Sequence, residues 1–331
     1  MKSILVTGAT GFLGRHLVNR LKETLPDAHL RLLARGKTPW DSDPSMQIVR
    51  GDVTNAEDVQ RAAEGVEEIY HLAGVVSRSP GKNRFLYETH IEGTRNVCEA
   101  AQKSGTKKIV VVSSSGTIAV GPEPVSHNEQ EGYKVDVVGE WPYYLSKIYA
   151  EKLALQFAAQ EQLPVVVVNP SLILGPGDVY GSSTGDVALF LEGQIMAIPL
   201  GGLSFVDVRD AAAGLVSAMK LGKAGERYLL GGPNWTFRKL IESVAQISRK
   251  RSPMMQPSLR LSLLSAKVLR VVLPLFGKPF KLDDASIKMS ALFWYCDTAK
   301  ARNQLHFETR DPIATLKDTV EDILARPAAR A

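Results

Sequence analysis

Tyr143 and Lys147 stand four residues apart in Pro142–Gln160, a stretch that reads as a helix, so their side chains share one face. A phenol of ordinary pKa, about 10, is a poor acid or base at neutral pH. A neighbouring ammonium stabilises the phenolate and lowers that value, which makes the pair a tunable proton donor and acceptor. Tyr144 lacks such a partner, because the residue four on is Ile148. A lone YxxxK arises by chance often enough to need company. Ser113, Ser114 and Ser115 follow the β-branched run 109–112, and ligands of open α/β sheets bind beyond the carboxyl ends of strands. A hydroxyl there can hydrogen-bond a substrate carbonyl, or it can satisfy the backbone of its own turn.

The sharpest pattern is Thr7-Gly-Ala-Thr-Gly-Phe-Leu-Gly14, a GxxGxxG turn between a strand-like and a helix-like segment. Gly8 permits a tight turn, Gly11 lets the backbone approach a pyrophosphate, and Gly14 lets the helix pack close to the sheet. The N–H groups of the helix start then face the anion, so Gly8, Thr10, Gly11, Phe12, Leu13 and Gly14 are expected to hold a dinucleotide. The second strand ends in Arg35, Gly36 and Lys37 with no acid. An acid would suit the ribose hydroxyls of NAD, whereas Arg35 and Lys37 suit a 2′-phosphate. NADP is therefore expected, with NAD the alternative and a pair of solvated cations the bland one. Asp52, in Gly51-Asp52-Val53, could accept from the adenine amino group or serve as turn or cap residue of the next helix.

The elements that must position these residues alternate. Segments 4–6, 30–34, 47–49, 68–72, 109–112 and 165–168 read as strands, and 4–6, 109–112 and 165–168 are the apolar, β-branched runs that buried parallel strands show. Helical patterns follow most of them, beginning with Leu17, Val18, Leu21 and Leu25 on one face. This βαβ alternation predicts an α/β, Rossmann-type doubly wound parallel sheet over residues 1–170. A smaller, interleaved substrate-binding region over 171–331 is expected to return to that sheet at about 203–230. Within it, 206–220 reads as a helix with Asp207 or Asp210 near its start.

Composition narrows the class. The 331 residues are 44% apolar and 23% charged, which suits a globular chain with ample core. The net charge is +5, but 249–281 alone holds eight basic and no acidic residues. Outside it the balance is 32 basic against 35 acidic residues, so no nucleic-acid partner is expected. Two cysteines outside any CxxC pair and the lack of a secretory leader point to the cytoplasm. Cys98 reads as a small buried hydrophobe. The six histidines form no ligand-spaced cluster, so no metal is expected, and His71 is read as packed beside the cofactor. Segment 259–280 is apolar and basic, too short and too charged to span a bilayer. It suits a helix packed on the substrate region, or a lid or peripheral membrane contact.

Taken together, TGATGFLG, Gly51-Asp52-Val53, His71-Leu72-Ala73-Gly74, the serine run and YxxxK make the chain resemble the extended short-chain dehydrogenase/reductases over nearly its whole length. It is most similar to their dihydroflavonol-4-reductase and 3β-hydroxysteroid dehydrogenase-like branch, and to the bacterial pattern labelled hopanoid-associated sugar epimerase. The resemblance implies a triad of Ser114 (Ser115 the alternative), Tyr143 as acid/base and Lys147, which also binds the nicotinamide ribose. It adds Val53, Leu72, Ala73, Gly74, Pro170 and Ser171 to the cofactor site, and a homodimer formed through helices at 84–103 and 142–160. His90 stands where Asn is frequent, Asn169 where nucleotide-sugar enzymes often carry Arg, and Asp207 where His is common.

The expected activity is NADP-dependent reduction of a mid-sized lipophilic ketone or aldehyde, or oxidation of the alcohol. A sugar epimerase or dehydratase with no net redox change is the alternative, and a non-enzymatic NADP sensor a minor one. The pocket is expected from residues 75–78, the loops 121–142 and 178–204, and the C-terminal region.

Overall fold

The structure is a computed structural model that describes residues 2–76, 83–275, 277 and 283–326. Its frame is a seven-stranded parallel sheet: β1 (Ser3–Thr7), β2 (His29–Ala34), β3 (Met46–Arg50), β4 (Glu68–His71), β5 (Lys108–Val112), β6 (Val165–Pro170) and, later in the chain, β9 (Arg227–Leu230), in the order β3-β2-β1-β4-β5-β6-β9. Consecutive strand residues serve opposite layers. Ile4, Val6, Tyr70, Val110, Val166 and Val168 enter one core, whereas Leu5, Ile69, Ile109, Val111, Val165 and Val167 enter the other. Because both faces are covered, β1, β5 and β6 carry uninterrupted apolar runs over 4–6, 109–112 and 165–168.

The first core is closed by α1 (Phe12–Thr24), which contributes Leu17, Val18 and Leu21. The second is closed by α2 (Ala56–Ala63), α4 (Gly93–Ser104) and α6 (Pro142–Gln160), with Cys98 buried among them. Before α4 come α3 (Asn83–Tyr87) and a π-helical turn, Glu88–Glu92. The short α5 (Val135–Val138) leads into α6.

After Pro170 the chain builds a second sheet from β7 (Leu172–Leu174), β8 (Gly202–Asp207), β10 (Asn234–Thr236) and β11 (Phe293–Trp294). With α7 (Gly185–Leu191), α9 (Phe237–Ser248) and α13 (Pro312–Ala325) it encloses a third core around Phe190, Phe205, Trp235 and Leu316. α8 (Val208–Leu221) and α12 (Ala299–Leu305) pack back on the first core. Of the stretch 203–230, α8 and β9 thus rejoin the main layers, whereas 203–207 lies in the second sheet. The helix expected from 206 starts at 208 because Val206 and Asp207 are still strand, and Asp207 caps α8 by accepting from the Arg209 N–H at 2.8 Å. α10 (Leu259–Leu275) and α11 (Asp284–Met289) pack against each other.

Candidate active site

Strand order reverses between β1 and β4, and a cleft opens beyond their carboxyl ends. Gly8 adopts φ +71°, and a Cβ there would lie 2.6 Å from Ala73 N and 2.7 Å from Leu72 C. A Cβ on Gly14 would lie 2.1 Å from Gly8 O. Both contacts are with backbone, so neither position accommodates a side chain. No side chain caps α1 at Gly11, which leaves the first-turn N–H groups for an anion. Gly8, Thr10, Gly11, Phe12, Leu13, Gly14, Leu72, Ala73 and Gly74 all line this cleft.

At the cleft's far end, Arg35 is exposed and lies 3.7 Å from the Asp52 carboxylate. Asp52 and Val53 line the cleft too. Asp52 Oδ1 accepts from Thr54 N and Oγ1, both at 2.9 Å, so it shapes its own turn, while Asn55 caps α2. Lys37 is exposed and is not among the lining residues.

Ser114, Tyr143 and Lys147 come together at the other end. Tyr143 sits in the first turn of α6, with Pro142 at its start. The Lys147 ammonium donates to Val112 O at 3.0 Å, and burial pulls its pKa down to about 8 against the opposing pull of the Glu151 carboxylate. Burial raises the Tyr143 phenol to about 12, opposed by the Ser114 hydroxyl within hydrogen-bonding reach. With its pKa raised in this way, the phenol is protonated at neutral pH. Ser113 Oγ and Ser171 Oγ are buried in the same wall without a hydrogen-bond partner among the described residues, and Pro170 adjoins them. The cradle, the uncapped helix start and the orphaned hydroxyls fit a bound dinucleotide.

A buried polar layer supports the triad from below. Asn169 Nδ2 lies 2.8 Å from Glu151 Oε2 and 3.1 Å from both Ser114 O and Thr117 Oγ1. Arg227 from β9 reaches Glu151 Oε1 at 3.4 Å. Asn169 therefore holds the Ser114 backbone and does not enter the cleft. His90, in the π-helical turn, accepts from the Val75 N–H at 3.0 Å through Nε2. Its Nδ1 then donates to Ser146 Oγ at 2.8 Å, and that hydroxyl donates to Tyr143 O at 2.8 Å. These bonds require a neutral imidazole, and burial lowers the His90 pKa to about 2. His71 is buried behind the cleft wall, 2.8 Å from Thr7 Oγ1 and 3.1 Å from Thr94 Oγ1, and does not line the cleft itself. Asp207 is remote, engaged by Arg209 at 2.7 Å.

Beyond Tyr143 the cleft widens into the second region, giving one cavity of about 880 Å³. Val187, Phe190, Ile198, Leu240, Val244 and Leu269 line its wide part, with serines such as Ser182 and Ser265 between them. Tyr144 stacks on Trp294 at 5.0 Å, and Trp141 adjoins both. Of the expected pocket segments, Val75, Val76 and much of 178–204 line the cavity, and Ser77 and Arg78 lie outside the described residues. Loop 121–140 does not line it, because bridges from Gly121 to Phe293 and from His127 to Cys296 tie that loop to the second region. The aromatic group Trp141, Tyr144 and Trp294 was not anticipated. Trp141-Pro-Tyr-Tyr144 signals half of it, and Trp294 arrives only through β11. Among the described lining residues the cations are Arg35 and Lys147, both at the cofactor end.

Comparison with known proteins matches residues 4–231 to the family described as "NAD dependent epimerase/dehydratase family". The chain is 33% identical over 327 residues to "Putative dihydroflavonol 4-reductase" of Synechocystis sp., covering 96% of this chain and 92% of that one. It is 31% identical over 252 residues to "Sterol demethylase protein B" of Methylococcus capsulatus, 75% of each chain. The crystal structure of gox2253 superposes with a TM-score of 0.83 at 28% identity, over 98% of both chains.

Proposed function

The chain belongs to the NAD dependent epimerase/dehydratase family, whose members are NAD(P)-dependent enzymes of the extended short-chain dehydrogenase/reductase type, and from that premise we propose that it is an NADPH-dependent reductase of a lipophilic ketone or aldehyde. The observation that carries this reading is the apolar cavity opening directly onto Ser114, Tyr143 and Lys147. A nucleotide-sugar would bring a second diphosphate, and the wide part of the cavity has no described cation to receive one. The sterol-named relative supports the same substrate class by similarity.

In this reading the α1 start holds the pyrophosphate, Lys147 the nicotinamide ribose and Arg35 the 2′-phosphate. The bound nicotinamide supplies the hydride for the carbonyl carbon. Ser114 and Tyr143 donate hydrogen bonds to the carbonyl oxygen, and these strengthen as charge develops there. Tyr143, protonated at neutral pH, gives its proton to that oxygen. The Lys147 ammonium stabilises the phenolate left behind, and Asn169 keeps Ser114 in place from below.

The test is label tracking: the protein, NADPH deuterated at the transferable position and a lipid extract are incubated and analysed by mass spectrometry. Deuterium in a new alcohol with NADPH consumed is the expected result. An unlabelled isomer with NADPH intact overturns the reductase reading in favour of an epimerase. Tyr143→Phe should keep NADPH affinity within about twofold and lose at least 100-fold in turnover, in line with the usual contribution of a general acid. Full activity in that variant refutes its role.

A further inference from the structure

α10 turns one face to the cavity and a second, apolar face outward. Ser262, Ser265, Ala266 and Leu269 face the cavity and help to roof it. On the outward side Leu261, Leu264, Val268, Val271, Val272 and Leu275 are exposed. At 3.6 residues per turn they form a continuous stripe about 100° wide. Arg260 and Lys267, both exposed, fall along one edge of that stripe by the same periodicity. The segment leading into the helix adds exposed Met254 and Met255 and exposed Arg249, Lys250 and Arg251. No acidic residue occurs in 249–281. A patch of this size and composition is unusual on a surface that meets only water.

We propose that the outer face of α10, with the 249–255 segment beside it, docks on an anionic lipid bilayer. The charge selects the occupant: basic side chains bordering an apolar stripe match phosphate headgroups above acyl chains. Long Lys and Arg stems reach the headgroups while the stripe enters the interface. The helix lies along the surface, since no helix among the described residues is long and apolar enough to cross a membrane. Because the other face of the same helix roofs the cavity, docking brings the substrate chamber to the bilayer surface. The docking stands on these exposed residues alone; its use in taking a lipophilic substrate from the bilayer rests on the reductase reading.

The experiment is co-sedimentation of the full chain with phosphatidylcholine vesicles, with and without phosphatidylglycerol, at low salt. Binding to the anionic vesicles should exceed binding to the neutral ones at least tenfold. Leu264→Glu with Val271→Glu should reduce it at least tenfold while NADPH affinity is unchanged. Arg260→Glu with Lys267→Glu, a surface change that leaves the apolar packing untouched, should do the same. Tyr143→Phe should sediment like the wild type, so failure of the catalytic reading leaves the docking result standing. Absence of sedimentation with anionic vesicles overturns the proposal, as does full binding by the Leu264/Val271 double variant. A wild-type dimer that this variant converts to monomer, without vesicle binding, assigns the face to a second copy and overturns it equally.

Discussion

Lys147 is the residue on which pH acts. Its folded pKa of about 8 lies below the ordinary lysine value of about 10.4, because burial disfavours the ammonium. The cation is present below about pH 8 and lost above it. Reductive turnover should therefore hold up to about pH 8 and then fall with the loss of one proton. Glu151→Gln removes the carboxylate that props up this ammonium, so the alkaline limb should move to lower pH. An unmoved limb would show that Glu151 only packs. Stability runs the other way. Between about pH 8 and 10.4 the unfolded chain binds the proton that the folded chain releases, so stability attributable to Lys147 rises with pH across that window. Lys147→Met should accordingly raise the melting temperature at pH 7 while abolishing turnover, and should raise it less at pH 10. The neutral His90 and His71 take no part in this window, since burial holds both pKa values far below 7.

The turn from β1 into α1 is the most demanding element. A Cβ on Gly14 would meet Gly8 O and Ala9 Cα, both backbone atoms, so the clash of an added methyl cannot be relieved by a rotamer change. Gly14→Ala should cost about 1–3 kcal/mol or more and weaken NADPH binding, read by thermal melting and by fluorescence titration. The contrast is Asn55→Ala at the start of α2. Losing that cap removes hydrogen bonds to Glu57 and Asp58 N–H and should cost about 1 kcal/mol with little change in NADPH affinity. At the end of β2, Arg35→Asp should weaken NADPH binding roughly tenfold to 100-fold, the size of a charge-assisted contact, and leave NADH nearly untouched. Equal losses for both cofactors would remove Arg35 from the 2′-phosphate site.

In the whole molecule the two regions are interleaved, and the cavity exists only because both contribute walls. β6 ends at Pro170 in the cofactor cleft, and two residues later β7 is pairing with β8 in the second sheet. Exposed Phe85 in α3 and Tyr149 in α6 lie on neighbouring helices of the second layer. Pairing of two copies across that surface predicts a species of about 72 kDa, twice the 36.1 kDa chain, in light scattering at micromolar concentration. A mass near 36 kDa would refute it.

The parallel sheet and the glycine cradle are legible in the sequence. Those features are local: a strand buried on both faces must be continuously apolar, and a turn without room for a Cβ must be glycine. Tertiary structure decided the rest. Asn169 became a strut under Ser114, and His90 an acceptor for the Val75 amide, because of what other elements bring against them. Tyr143 acquired a raised pKa from burial. The cavity wall drew on α7, α9, α10 and Trp294, segments with no shared spacing in sequence. Burial and desolvation depend on which elements close over a group, and that is a property of the assembled layers, which no local spacing carries.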